Sequence, residues 1–209
     1  MRLFLSIGPN PRVVRMALVE KGLSLETRVV DIMRGENRQA PYSQLNPAGQ
    51  TPALELDDHR IVAESIAIVE YLDEQNPLPP LLGATAEARA LTRMWIRRID
   101  FSVVQPLTMG FRGAEGLPLF VSRMRCFPDA AADLKAAARE GLEWLEAQFG
   151  DQPYITGDEV RLADLLLYSF LDFGAQVGQA LPHSNLRLTA WFKRMSERPS
   201  AVETAGPPT

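Results

Sequence analysis

Three prolines in four residues follow Asn76 in the segment Asn76-Pro77-Leu78-Pro79-Pro80, and no regular element can run through them. Each proline fixes φ and lacks the N–H that a helix or a sheet ladder would use. The segment therefore divides the chain, and the hydrophobic patterning differs in kind on its two sides. Residues before it alternate between strand-like and helix-like stretches, whereas those after it keep a helical period. This predicts an α/β domain over residues 1–77, a linker over 78–86, an all-helical domain over 87–203 and a flexible tail over 204–209, where little can be buried.

Within the first part, Leu3 to Ile7 reads as a strand and Pro11 to Lys21 as a helix, with Val13, Val14, Ala17 and Leu18 on one side and Gly22 as its stop. Leu25 to Ile32 is rich in β-branched residues and reads as a second strand. After a polar stretch with room for a short helix, Ala53 to Leu56 and Arg60 to Val62 flank Asp57-Asp58-His59 as a hairpin, and a helix runs from Glu64 to Gln75. In the second part, helices are expected over Glu87 to Met109, Asp133 to Phe149 and Leu162 to Leu181, with a last one around Leu188, Trp191, Phe192 and Met195. The stretch "LADLLLYSFL" is apolar nearly all round, so its helix belongs at the centre of its domain.

A hydrophobic fraction of 46% over 209 residues is enough to fill a core in each part. The net charge of −4, with no basic block, argues against nucleic acid or an anionic membrane as partner. No stretch approaches the roughly 18 apolar residues of a membrane span. The apolar start is cut short by Gly8-Pro9-Asn10-Pro11, too soon for a signal-peptide core. Cys126 is the single cysteine, which excludes an internal disulfide, a Cys-x-x-Cys redox pair and a thiolate metal cluster. These features describe a cytoplasmic protein, without metal, whose partners are small molecules or protein surfaces.

Pro52 stands inside an apolar strand-like run, where a proline needs a reason. Its neighbourhood, "NPAGQTPAL", resembles the N-P-x-G-x-V/T-P-x-L segment of the cytosolic glutathione transferase superfamily. "ESIAIVEYL", starting twelve residues after Pro52, resembles the family's E-S-x-A-I-x-x-Y-L segment, and "TGDEVRLADLLL" resembles its G-D-x-x-S/T-x-A-D segment. The resemblance thus covers the whole chain. It implies a thioredoxin-like N-terminal domain of order βαβ-ββα followed by an all-helical substrate-binding domain, with glutathione as co-substrate.

It also implies roles for residues. The bond before Pro52 would be cis, with the backbone of Thr51 turned toward the cysteinyl part of glutathione, which binds as an added strand. Ser65 would bind the γ-glutamyl carboxylate through its hydroxyl and N–H at a helix start, where anions are favoured, while also serving as an ordinary cap. Glu64 would face the ligand's amine. Gln50, with Arg38 and Gln39, would meet the glycyl end. In the central helix, Arg161 stands where the family has Ser or Thr, so Asp164 would accept from the helix's first N–H groups without a side-chain oxygen to return the bond.

The chemistry of the family is thiolate attack, and a donor near the sulfur lowers the thiol's pKa from its ordinary value near 8.5. Aligning on "RMALVEKGL" puts Phe4, Gly8 and Asn10 at the family's usual Tyr, Ser and Cys positions, and none is a hydroxyl or thiol. Asn10 is the best donor left, similar to the Pro-Asn pair of bacterial nu-class relatives; as a plain helix cap before Pro11 it would need no other role. Ser6 is the nearest hydroxyl, and Arg12 adds positive potential. Trp95, Met109, Phe111, Arg112 and Tyr168 are candidates for the electrophile's pocket. A homodimer is expected, with Glu70, Asp73 and Glu74 of one subunit facing Arg89, Arg93 and Arg97 of the other. The activity implied is transfer of glutathione to a small electrophile, or glutathione-linked disulfide reduction. The alternative is a non-catalytic partner resembling the stringent starvation proteins, whose matching stretch "EYLDEQNPLPPLL" is similar.

Overall fold

A computed structural model of the chain describes residues 1–208. Contacts divide it into two compact units, one of Met1–Ala84 with Ser196–Thr209 and one of Thr85–Met195.

The first unit opens with β1 (Arg2–Leu5), α1 (Pro9–Lys21) and β2 (Glu26–Val29). A 3-10 turn over Glu36–Arg38 and α2 (Tyr42–Leu45) follow, then β3 (Ala53–Glu55), β4 (Ile61–Ala63) and α3 (Ser65–Gln75). The sheet order is β2-β1-β3-β4, with β1 parallel to β2 and the other two pairings antiparallel. This is the βαβ-ββα arrangement that the sequence predicts. Leu3, Val13, Val14, Met16, Ala17, Leu54, Ile68 and Val69 have no exposed surface, so the core lies between the sheet and the apolar faces of α1 and α3. Gly22, at φ 62, ends α1 in the left-handed conformation that glycine adopts without a Cβ penalty.

Lys21 and Asp73 hold the exit of this unit. The Lys21 ammonium donates to Asp73 at 2.6 Å and to the carbonyl of Pro79 at 2.8 Å. Asp73 also accepts the N–H groups of Leu81 (2.9 Å) and Leu82 (3.1 Å). Asp73 is therefore buried inside its own chain and is not part of an acidic face toward a second subunit, which corrects the expectation for that residue. The three bonds that Asp73 accepts offset the cost of removing its charge from water.

The C-terminal segment departs from the expected division. Residues from Ser196 on group with the first unit, through α10 (Pro199–Glu203) against α1. The Arg198 guanidinium makes two 2.7 Å bonds to the Glu20 carboxylate, and Ser200 adds a third at 2.6 Å. Burial alone would raise the pKa of Glu20, but the bonds from Arg198 and Ser200 outweigh it and hold the carboxyl below its usual range. Arg15 donates to the carbonyls of Thr204 (3.3 Å) and Gly206 (2.7 Å), and Thr204 is buried. Polar partners order a stretch that an apolar pattern could not announce.

The second unit is helical: α4 (Ala86–Ile99), α5 (Gln105–Gly113), α6 (Leu117–Phe120), α7 (Ala131–Gln148), α8 (Leu162–Gln176) and α9 (Leu186–Ser196). A π-helical turn over Asp100–Val104 joins α4 to α5. It lies against Gly141 of α7, where a Cβ would stand 2.0 Å from the Ser102 carbonyl, so only glycine fits. α8 is buried nearly all round and ends earlier than its apolar run suggests. Gly178 turns left-handed at φ 76, and Gln179 donates back to the carbonyl of Gly174 at 2.7 Å, closing the helix before Leu181.

The start of α8 is fully satisfied by the chain itself. Asp164, with no exposed surface, accepts from the N–H of Arg161 (2.9 Å), the N–H of Ile155 (3.0 Å) and Trp191 Nε1 (2.8 Å). Desolvation nevertheless pushes its carboxyl up to about 6. As expected from its chemistry, the Arg161 side chain has no acceptor to complete a reciprocal cap.

Candidate active site

The end of β1 and the loop entering β3 come together because Phe4 pairs with Ala53 across an antiparallel ladder. Two residues further on, Ser6 and Thr51 share a hydroxyl–hydroxyl hydrogen bond. Ser6 also donates to the carbonyl of Ile7 at 3.0 Å. A hydroxyl has one proton, so with that of Ser6 given to Ile7, Thr51 supplies the proton between the pair. Ser6 is 2% exposed, and the structure makes it a tie between β1 and the Pro52 loop.

That loop is held from behind. The Gln50 carbonyl accepts from the Tyr42 hydroxyl and, at 2.9 Å, from Asn46 Nδ2. Asn37 Nδ2 donates to the Gly49 carbonyl at 2.6 Å. Gly49 has φ 60, and a Cβ there would stand 2.9 Å from the Asn37 carbonyl, so both conformation and space demand glycine. Burial raises the Tyr42 pKa, which keeps the phenol a donor at neutral pH. The Thr51–Pro52 bond is cis. The ladder begins at Ala53, leaving the Thr51 backbone outside it. Gln50 and Gln39 are exposed, while Arg38 donates to the Ala48 carbonyl at 3.3 Å.

Two helix starts face this loop's unit with little of their own to satisfy them. α3 begins at Ser65 with no side-chain cap and no acidic residue in its first turn. Its first N–H groups have no intrahelical partner. Glu64, just before, sits at φ 71 and ψ 124, a conformation uncommon outside glycine and a form of strain found at ligand sites. α1 likewise lacks an acidic residue in its first turn. It starts at Pro9 with Gly8 as its cap residue, earlier than the sequence reading places it. Asn10 therefore lies inside the first turn and does not cap the helix. Its Oδ1 instead accepts from the Ser65 hydroxyl at 2.9 Å, tying the starts of α1 and α3 together.

The remaining candidates divide. Phe4 is 3% exposed and packs edge-on against Tyr42 with ring centroids 5.9 Å apart, so the family's usual tyrosine position is part of the core here. Arg12 is buried and donates to the carbonyl of Ala201 (3.2 Å) and the hydroxyl of Thr204 (3.4 Å). Its guanidinium anchors the C-terminal segment, which the local pattern around Asn10 could not indicate. In the helical unit, Trp95 stacks obliquely on Trp144 at 5.9 Å, with Arg98 over both. Phe111 meets Phe173 (5.0 Å) and Phe120 (6.0 Å), and Arg112 lies over Phe120. Met109 is half-buried on the same helix. Tyr168 is 4% exposed and packs against Phe192, in the fully buried first part of α8.

A family model for the glutathione S-transferase N-terminal domain matches residues 7–75, and one for the C-terminal domain matches residues 115–199. Glutathione S-transferase 2 of Saccharomyces cerevisiae is 30% identical over 197 residues, covering 92% of this chain and 84% of that protein. The chain belongs to the glutathione S-transferase family. Maleylacetoacetate isomerase of Pseudomonas aeruginosa is 34% identical over 170 residues, 80% of this chain and 78% of that protein. The crystal structure of Gtt2 from Saccharomyces cerevisiae superposes with a TM-score of 0.90 at 28% identity, covering 98% of this chain and all of that one.

As a glutathione S-transferase, the protein belongs to enzymes that use glutathione as co-substrate. The sequence reading missed three supports of its site: Tyr42, Asn46 and Asn37, whose bonds to the carbonyls of Gln50 and Gly49 set the Pro52 loop. Asn46 was visible in the motif. Tyr42 and Asn37 carried no local signal, since their partners lie 8 and 12 residues away. No helix among the described residues is long and apolar enough to cross a membrane.

Proposed function

We propose that this protein binds glutathione along the Pro52 loop and the start of α3, and that the Asn10 amide stabilises its thiolate for attack on an electrophilic carbon. The backbone of Thr51 takes the cysteinyl part as an added strand. The free N–H groups of the first turn of α3 hold the γ-glutamyl carboxylate, Glu64 faces the amine, and Gln50 with Gln39 and Arg38 meets the glycyl end. The carrying observation is the bond from Ser65 to Asn10 Oδ1, which leaves Nδ2 with both its N–H donors for a ligand. Both a transferase and an isomerase such as the Pseudomonas aeruginosa relative suit this chemistry.

Titration calorimetry with glutathione and with its disulfide tests the reading. Specific heat with glutathione supports it, tighter binding of the disulfide favours glutathione-linked disulfide reduction, and no heat with either returns the protein to the non-catalytic alternative. Asn10→Asp supplies the mechanistic test, because Asp places a negative charge beside the sulfur and disfavours the thiolate. Full activity in that variant would overturn the role of Asn10. The same reading includes a cytoplasmic homodimer in which Glu70 and Glu74 of one subunit meet Arg89, Arg93 and Arg97 of the other. A sedimentation-equilibrium mass of one chain at micromolar concentration would exclude it.

A further inference from the structure

The peptide bond between Gln50 and Thr51 is trans, unlike the one that follows it. In a trans peptide the C=O and the N–H of the next residue lie in one plane and point in opposite directions. Fixing the Gln50 carbonyl therefore fixes the Thr51 N–H. That carbonyl accepts from the Tyr42 hydroxyl and, at 2.9 Å, from Asn46 Nδ2, and both donors belong to buried residues. The Thr51 N–H consequently points away from this buried side, and it meets no acceptor among the described residues. Thr51 itself is half-buried, with its hydroxyl engaged by Ser6.

The two donors are not equivalent. Asn46 belongs to the turn it braces: its carbonyl accepts from the Gly49 N–H at 2.8 Å and its Oδ1 from the Ala48 N–H at 3.3 Å, so its amide moves with the loop. The Tyr42 ring is 1% exposed and clusters with Phe4 of β1, Ala53 of β3 and Val30. Its hydroxyl is thus the bond that ties the Gln50–Thr51 plane to the sheet. Phenylalanine would fill the same space, so the packing does not call for the oxygen. We propose that Tyr42 is a positioning residue for glutathione: its hydroxyl holds the Gln50 carbonyl inward and thereby presents the Thr51 N–H to the carbonyl of the ligand's cysteinyl residue. The inference rests on the added-strand reading above. It assigns part of the affinity for the ligand's peptide backbone, and none of the thiolate chemistry, to a side chain buried behind the loop.

Tyr42→Phe keeps the ring and removes the bond. Asn46 still donates to the carbonyl, so no buried acceptor is orphaned and the variant should fold as the parent does. Its affinity for glutathione and for S-methylglutathione, which has the same backbone but no ionisable thiol, should fall together by about fivefold to tenfold in titration calorimetry. Turnover at saturating glutathione and the thiol pKa of bound glutathione, read from thiolate absorbance against pH, should stay at the parent values, because the sulfur end is untouched. In isotope-labelled parent protein the Thr51 amide proton should move downfield when S-methylglutathione binds, and it should move less in Tyr42→Phe. The proposal is overturned if Tyr42→Phe binds S-methylglutathione within about twofold of the parent or keeps the full Thr51 shift. It is also overturned if turnover and thiol pKa change along with affinity, which would make the hydroxyl a general support of the domain. A parent protein that binds neither glutathione nor S-methylglutathione would overturn the functional reading itself, an outcome distinct from these.

Discussion

The starts of α8 and α3 pose the same electrostatic problem and meet it in opposite ways. α8 carries Asp164 at its third position and closes on itself, with the carboxylate taking N–H groups from Arg161 and Ile155 and the indole of Trp191. α3 carries Ala67 at the third position, no capping side chain, and a strained Glu64 in front. A helix start that the chain satisfies is a structural joint. One left open, with backbone strain beside it, is where the carboxylate of the proposed ligand would be favoured. The difference separates support from function more clearly than burial does, since Ser65 and Asp164 are both buried.

Removing Asp164 gives the largest effect. Asp164→Ala leaves three buried donors without an acceptor and should cost on the order of 3 kcal/mol or more of unfolding free energy. Denaturant unfolding checks it, and a parent-like midpoint would show that α8 does not depend on this carboxylate. The same residue has a pH signature. Its folded pKa of about 6 lies above the unfolded value of 3.8, so the native state holds the extra proton between them. Its contribution is therefore most favourable below about pH 4 and is lost as pH rises through 6, by up to roughly 3 kcal/mol. Asp164→Asn should abolish that trend in the difference between parent and variant unfolding curves.

Closing α3 in the manner of α8 tests the other half of the comparison. Ala67 is exposed, and Ala67→Asp puts a carboxylate at the third position. Stability should rise by about 0.5–1 kcal/mol while glutathione affinity falls about tenfold, because the new side chain occupies the N–H groups meant for the ligand. Unchanged affinity, measured by calorimetry, would mean that the ligand's carboxylate sits elsewhere. The smallest effect concerns the strain. Glu64→Gly relieves the φ of 71 and should leave thermal stability unchanged or raise it by up to about 1 kcal/mol, at the expense of the amine contact.

The fold was legible because its signals are local. The Pro77–Pro80 break, the β-branched strands and the Gly22 stop each act through their own backbone geometry, and the motif around Pro52 marked the loop with the cis bond. What stayed hidden depends on partners distant in the chain. Phe4 reads as an empty catalytic position until Tyr42 is seen beside it. Arg12 reads as a site cation until Ala201 and Thr204 appear, 189 and 192 residues away. Asp73 belongs by charge to an acidic face and by structure to Lys21 and the exit of its domain. The bond between Ser65 and Asn10 spans 55 residues, and nothing near either one announces it.

The clasp of Arg198, Ser200 and Thr204 on α1 makes the first unit discontinuous in sequence, and this matters during synthesis. Its sheet and first helices leave the ribosome early, but the partners of Glu20, Arg12 and Arg15 follow only after the whole helical unit has been translated. Until then Glu20 and the two arginines have no C-terminal segment to bind. The domain that is made first is thus the last to be completed, and folding of the helical unit must deliver residues 196–206 back to a helix made some 180 residues earlier.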